Sequence, residues 1–237
     1  MTHPAEKLPS GFKRSLLKEA YALTKERYWK LTWWLTLATL PQIVIFLLAI
    51  GVGVVAAVNG AEIDSEKTET PFSLFVDGIS LLAGVASLPL IGGLYWAILH
   101  LVRGEEGSAR DLWTQCRKFW DYLFGYILFS LGILGGFLLL IVPGIVWSLK
   151  WSFYPFAICD ENCGPLAALK RSGDLTRGAK RQLFLFFFLL VCLNILGTLA
   201  FVIGLAFTLP MSCVALVLFY EKLKVRHALL VQHLTSA

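Results

Sequence analysis

The chain has 237 residues, of which 57% are hydrophobic and only 16% charged. That balance is more apolar and less charged than a soluble domain, and it excludes a sizeable soluble domain, because about six crossings of roughly 20 residues use most of the length. The net charge of +5 points toward anionic lipid; no nucleic-acid partner is expected.

The first 30 residues hold seven Lys or Arg and lack the uninterrupted apolar core of a cleavable signal, so this stretch is expected to remain on the protein. The helical spacing of Phe12, Leu16, Ala20 and Leu23 predicts an amphipathic helix over residues 11–29, capped by Ser10, with Lys13, Arg14, Lys18 and Lys25 on its other faces. It ends in Tyr28-Trp29, with Trp33-Trp34 just beyond, as at a lipid headgroup level. A helix packed on the protein's own loops would show the same pattern.

A first span is predicted from about Leu31 to Val58, kinked at Pro41, followed by a polar loop, Asn59 to Phe72. Ser73 to Val102 holds a second span with Asp77 near its start, Pro89 midway, and Trp96, His100 and Arg103 near its exit; His100 reads as interfacial, since no partner spacing surrounds it. Residues 103–118 form a second basic surface segment, where Ser108 to Asp111 reads as a capping box. The third span, about Tyr122 to Val142, contains Gly132-x3-Gly136, a spacing that allows close helix contact.

A break at Pro143-Gly144 precedes a fourth span, Gly144 to Ile158, with Lys150 roughly midway. Asp160 and Glu161 in the following turn are expected to cap the next helix. Gly164-Pro165 opens that helix, the third basic amphipathic one, with Leu166, Leu169, Gly173 and Thr176 on one stripe and Ala168, Ser172 and Leu175 alongside. A fifth span is predicted from Leu183 to about Phe207 and a sixth from Leu209 to Tyr220, before a basic tail.

Cys116, Cys159, Cys163, Cys192 and Cys213 are odd in number and scattered, which favours reduced thiols; Cys159-x3-Cys163 has no second ligand pair, so no metal is expected.

All of the 21 Lys and Arg except Lys67 and Lys150 fall in four segments that share one side if there are six crossings. The loop at 59–72 instead carries Glu62, Asp64, Glu66 and Glu69. The positive-inside rule then places both termini in the cytoplasm of a cell with a multi-pass inner membrane protein. The lengths leave one tension. Residues 122–158 and 182–220 are each short of two full spans plus a turn, so thin or re-entrant hairpins are open alternatives.

Aligned without gaps, Leu17 to Leu31 and Leu169 to Leu183 share Leu17, Lys18, Leu23, Thr24 and Leu31. This echo suggests one membrane domain, residues 1–237, built from three units (11–102, 103–163 and 164–237), each a surface helix plus two crossings.

Gly92-Gly93, Arg103-Gly104, the run Ile141 to Ile145, Phe153, Asp160-Glu161, Leu169 to Ser172, Leu175 to Gly178, Pro210 and Phe219-Tyr220 occur in an order that resembles an uncharacterised family of bacterial six-helix membrane proteins, akin to the membrane domain of some glycerophosphodiester phosphodiesterases. The resemblance covers about residues 12–226 and implies an all-α, polytopic fold but no established activity. No segment here supplies the catalytic barrel of those diesterases.

Three functional classes follow. The first is a non-catalytic assembly, scaffold or envelope factor whose basic helices meet anionic lipid or a protein partner at the cytoplasmic face; Lys170, Arg171, Arg177, Lys180 and Arg181 are the candidate contacts. Their alternative is to fix topology alone. The second is transport or handling of a lipid or small solute through an intramembrane polar site at Lys150 and Asp77; a Lys at mid-span costs about 2.5–3.5 kcal/mol on insertion scales, although snorkelling in a thin hairpin is an alternative. An enzyme is disfavoured, since nucleophile–base, metalloprotease and phosphate-loop motifs are absent. No catalytic residue, cofactor or metal ligand is assigned, and the sequence leaves the oligomeric state open.

Overall fold

The computed structural model of the chain describes residues 12–58, 71–105, 110–199 and 203–235. Among these the regular elements are all helices: α1 (Phe12–Glu26), α2 (Tyr28–Val58), α3 (Pro71–Val102), α4 (Arg110–Thr114) continuing into a 3-10 turn (Gln115–Lys118), α5 (Phe119–Leu139), α6 (Ile141–Trp151), α7 (Tyr154–Glu161), α8 (Pro165–Leu175), α9 (Lys180–Leu199) and α10 (Ile203–Thr235). The all-α polytopic class therefore holds. Four stretches among the described residues are long and apolar enough to cross a membrane, Gly78–Val102, Leu112–Leu139, Lys180–Leu199 and Gly204–Gln232. The caps expected at Ser10 and Ser108, the Phe12 side chain and residues 59–70 of the polar loop lie outside the described residues.

Consecutive helices pair as hairpins, α2 with α3, α5 with α6, and α9 with α10. Small residues set how closely they approach. A Cβ on Gly132 would stand 2.2 Å from the Trp151 ring, and one on Gly136 would stand 2.9 Å from the Gly144 Cα, so both glycines of the Gly132-x3-Gly136 pattern face α6. Gly93 meets the backbone of Leu112 on α4 at 2.4 Å by the same measure. Exposed Trp29, Trp33, Trp113 and Trp120 lie near the starts of α2 and α5, where rings that are apolar with one polar tip suit a headgroup boundary.

The first amphipathic helix takes the packed alternative. Leu16, Ala20 and Thr24, spaced by four, are fully buried, and α1 lies along α10. Glu19 pairs with Lys222 at 2.8 Å, and Tyr21 meets Phe207 edge-on with ring centroids 5.9 Å apart.

The fourth expected span is interrupted. Pro155 has no N–H to offer the Trp151 carbonyl, so the α-helical ladder ends there, and α6 is left with 11 residues, a rise of about 16 Å against a hydrocarbon core of about 30 Å. The groups freed at the break are taken up by α8. The Phe153 N–H donates to Ser172 Oγ at 3.1 Å, and the Ser172 hydroxyl donates to the Lys150 carbonyl at 2.9 Å. Thr176 Oγ1 approaches the same carbonyl at 3.2 Å.

Beyond the break, α7 is only eight residues long, too short to persist on propensity alone. Burial holds it: Phe153, Phe156, Ala157 and Ile158 are at most 2% exposed. Phe156 stacks on Tyr220 at 5.1 Å and on Tyr95 at 4.5 Å, and Phe186 stacks on Phe219 at 4.5 Å. Each buried aromatic ring contributes roughly 1.5–3 kcal/mol.

One further boundary differs from expectation. α9 ends at Leu199 and α10 begins at Ile203, so Phe207 belongs to the last helix, which runs on through the basic tail for 33 residues. On α8 the buried residues, Ala168, Leu169, Ser172 and Leu175 with Thr176 just after, are those expected on or beside the stripe; Leu166 is exposed, because the buried face turns toward the α6–α7 break.

Candidate functional site

Two polar assemblies adjoin α8, one where α3, α7, α8 and α10 meet and one between α6, α8 and the head of α9. In the first, the carboxylates and cations are paired with one another. Asp160, with a side chain 5% exposed, receives Arg103 at 2.8 Å, Lys224 at 2.5 Å and the Tyr220 hydroxyl at 3.1 Å. Arg103 also reaches Glu221 at 2.6 Å. Burial alone would raise the Asp160 carboxyl, but hydrogen bonds and charge from Arg103 and Lys224 outweigh it and hold the group below the usual carboxylate range. Nearby, Arg171 Nε donates to both oxygens of Glu161, at 3.0 and 2.8 Å, and Lys118 donates to the Ile158 carbonyl at 3.1 Å and to Asn162 Oδ1. This network ties α3, α7, α8 and α10 together.

The expected capping function of Asp160 and Glu161 is corrected by this geometry. The residue preceding α8 is Gly164, with no side-chain cap, and both carboxylates are drawn to cations on other helices. The signal was not local: Arg103, Lys224 and Glu221 come from distant parts of the chain.

The second assembly is a cavity of ≈ 290 Å³ whose wall includes Lys150, Lys170, Arg177 and Lys180. On α8 and its exit turn, Lys170, Gly173, Asp174 and Arg177 recur at i, i+3, i+4 and i+7, which brings them to one helical face. Lys150 arrives from the last turn of α6. Its stem crosses α8 at Gly173, where a Cβ would stand 2.9 Å from Lys150 Cε, and its ammonium sits 5.6 Å from the centroid of the Trp151 ring, a cation–π contact. Gly178, at φ 77°, supplies the left-handed residue of the turn between α8 and α9. That turn sets Lys180 at the head of α9, where the helix dipole adds partial positive charge.

Asp174 is the acidic residue on the wall. Among the described residues, none of the four cations stands within ion-pairing distance of a carboxylate. No group of three or more His, Cys, Asp or Glu among them is placed to hold a metal ion, and burial, with Asp160 nearby, pushes the Cys159 thiol up to about 12, leaving it neutral and inert. The arrangement offers convergent positive charge with no nucleophile–base pair, which suits holding an anion.

Of the residues singled out from sequence, Lys150, Lys170, Arg177 and Lys180 are brought together. Lys150 does not lie midway along a continuous span; it stands at the end of the 11-residue helix α6. Arg171 is committed to Glu161, and Arg181 is exposed outside the cavity wall. Asp77 lies in the second turn of α3, with its side chain outside the described part. Trp151, Gly173 and Asp174 complete the wall; the i, i+3, i+4, i+7 spacing around Lys170 was the signal that could have found the last two.

Residues 134–227 match the family described as "Protein of unknown function (DUF975)". The match runs from the end of α5 into α10 and contains the four cavity cations, Ser172 and Asp160. No curated protein and no solved structure matches the chain.

Proposed function

We propose that this membrane protein is a non-catalytic assembly, scaffold or envelope factor of a bacterial cytoplasmic membrane, with both termini inside, that holds the phosphate of anionic lipid at its cytoplasmic face. One observation carries the reading: Lys150, from the apolar hairpin, shares a cavity with Lys170, Arg177 and Lys180, from the basic segment. Four cations around the single carboxylate of Asp174 leave an excess of positive charge, and a phosphate, with several acceptor oxygens, offsets it through charge-assisted hydrogen bonds. The cavity also lies at the head of α9, where an apolar span of 20 residues begins, which is headgroup depth for such a helix.

A second reading, lipid or small-solute handling, is favoured by the origin of Lys150. A cation reaching the cavity from within an apolar hairpin could draw an anion inward rather than merely dock it.

The test is native mass spectrometry of protein released from nanodiscs of mixed phosphatidylglycerol and phosphatidylcholine. The wild type should retain phosphatidylglycerol selectively, and Lys170→Gln/Arg177→Gln/Lys180→Gln should not. Equal retention of both lipids by the wild type would remove the proposal. Selective retention lost in Lys150→Leu and Lys150→Gln but unchanged in the triple variant would favour handling over docking.

A further inference from the structure

We infer that the ligand is a phospholipid held by two parts at once, its phosphate in the basic cavity and one acyl chain in an apolar groove between α6 and α9. The inference rests on the proposed phosphate site and adds where the apolar part of the lipid is held.

The groove has a volume of ≈ 400 Å³ and is walled by Ile145 and Leu149 of α6 against Phe184, Phe187, Phe188 and Val191 of α9. Two serines also face it, but their hydroxyls are used within α6: Ser148 donates to the Ile145 carbonyl at 2.8 Å and Ser152 to the Leu149 carbonyl at 3.0 Å. No hydroxyl there demands a polar ligand. Phe184, Phe188 and Val191 are 47%, 60% and 54% exposed, so the wall is open on one side, as a chain entering from surrounding lipid requires.

The groove begins one helical turn along α9 from the cavity, and that adjacency selects the occupant. Lys150 and Trp151 line the cavity while Leu149 and Ser152, their immediate neighbours, line the groove. On α9, Lys180 borders the cavity and Phe184, one turn later on the same side, borders the groove. From Lys180 to Val191 the helix rises about 16 Å. A soluble phosphate would use the first part and leave the second empty; a phospholipid, anionic at one end and apolar along the rest, matches both.

The experiment compares three probes on the full chain in nonionic detergent: dioleoyl phosphatidylglycerol, dihexanoyl phosphatidylglycerol and inorganic phosphate. Ser148→Phe and Val191→Phe fill the groove from opposite helices, leave the cations in place, and are checked for folding by thermal unfolding; either one suffices if the other fails to fold. The wild type should bind the long-chain lipid about tenfold more tightly than the short-chain one. The folded filling variants should lose that preference while binding dihexanoyl phosphatidylglycerol as before. Equal affinity of the wild type for long and short chains, or a preference that survives filling, would overturn the groove assignment while leaving the phosphate site standing. Inorganic phosphate binding as tightly as the long-chain lipid would assign the site to a free anion. Failure of the wild type to bind any of the three would overturn both readings.

Discussion

Asp160→Asn removes the one charge that Arg103 and Lys224 share while keeping the side chain's shape. Breaking a buried ion pair from one side costs about 3–5 kcal/mol. Here Arg103 and Lys224 are 31% and 27% exposed and keep other partners, Glu221 at 2.6 Å and Glu161 at 4.0 Å. Those features reduce the expected loss to about 2–3 kcal/mol, which for a chain of this size is a fall in melting temperature of about 4–12 °C. The assay is thermal unfolding in detergent micelles followed by tryptophan fluorescence, with Asp174→Asn as an exposed carboxylate control expected to change stability by less than about 0.5 kcal/mol. The pH dependence has a definite sign. A carboxyl held below its ordinary value contributes fully above the unfolded pKa, about 3.9, and its contribution disappears as pH falls through the lower folded value. The gap between wild type and Asp160→Asn should therefore be constant at neutral pH and close only below about pH 4. An Asp160→Asn protein melting within about 1 °C of the wild type would refute the claim that this network ties the helices together.

Gly173→Ala should leave stability within about 0.5 kcal/mol, because the new methyl meets the flexible end of Lys150, yet it should weaken phosphatidylglycerol retention by moving that ammonium; native mass spectrometry reads the second effect. Ser172→Ala strands the Phe153 N–H and deprives the Lys150 carbonyl of a donor, and should cost about 1–3 kcal/mol in thermal unfolding. Gly93→Ala places a methyl against the Leu112 backbone, which has no flexible end to yield, and should destabilise by at least about 1–3 kcal/mol; a melting curve unchanged from wild type would show that α3 and α4 are not packed as described.

The sequence revealed the helices where period and composition agreed. The α1 stripe, the Pro165 start of α8 and the Gly132-x3-Gly136 contact were all readable because each depends on neighbours within a turn or two. The break in the fourth span was less visible. Pro155 follows an apolar run, and its effect depends on Ser172 being at hand to accept the Phe153 N–H, a contact across 19 residues. Three of the basic residues singled out, Lys170, Arg177 and Lys180, do converge, but their meeting with Lys150 requires α8 to fold back along α7, which no local pattern specifies. Arg171 and Arg177 look alike in the sequence; one faces Glu161 and the other the cavity because Arg171 lies within α8 and Arg177 six residues later in its exit turn, on another side. The Asp160 network was missed for the same reason: its cations lie on α10 and at the end of α3.

The central claim is that Lys150 and the α8–α9 cations form one anion site. The most direct measurement is a double-mutant cycle, Lys150→Gln against Arg177→Gln, on the retention of phosphatidylglycerol in native mass spectrometry. Two cations that hold one phosphate should show coupling of at least about 0.5 kcal/mol. Effects that add to within about 0.3 kcal/mol would mean that the two side chains act independently, and would contradict the single site.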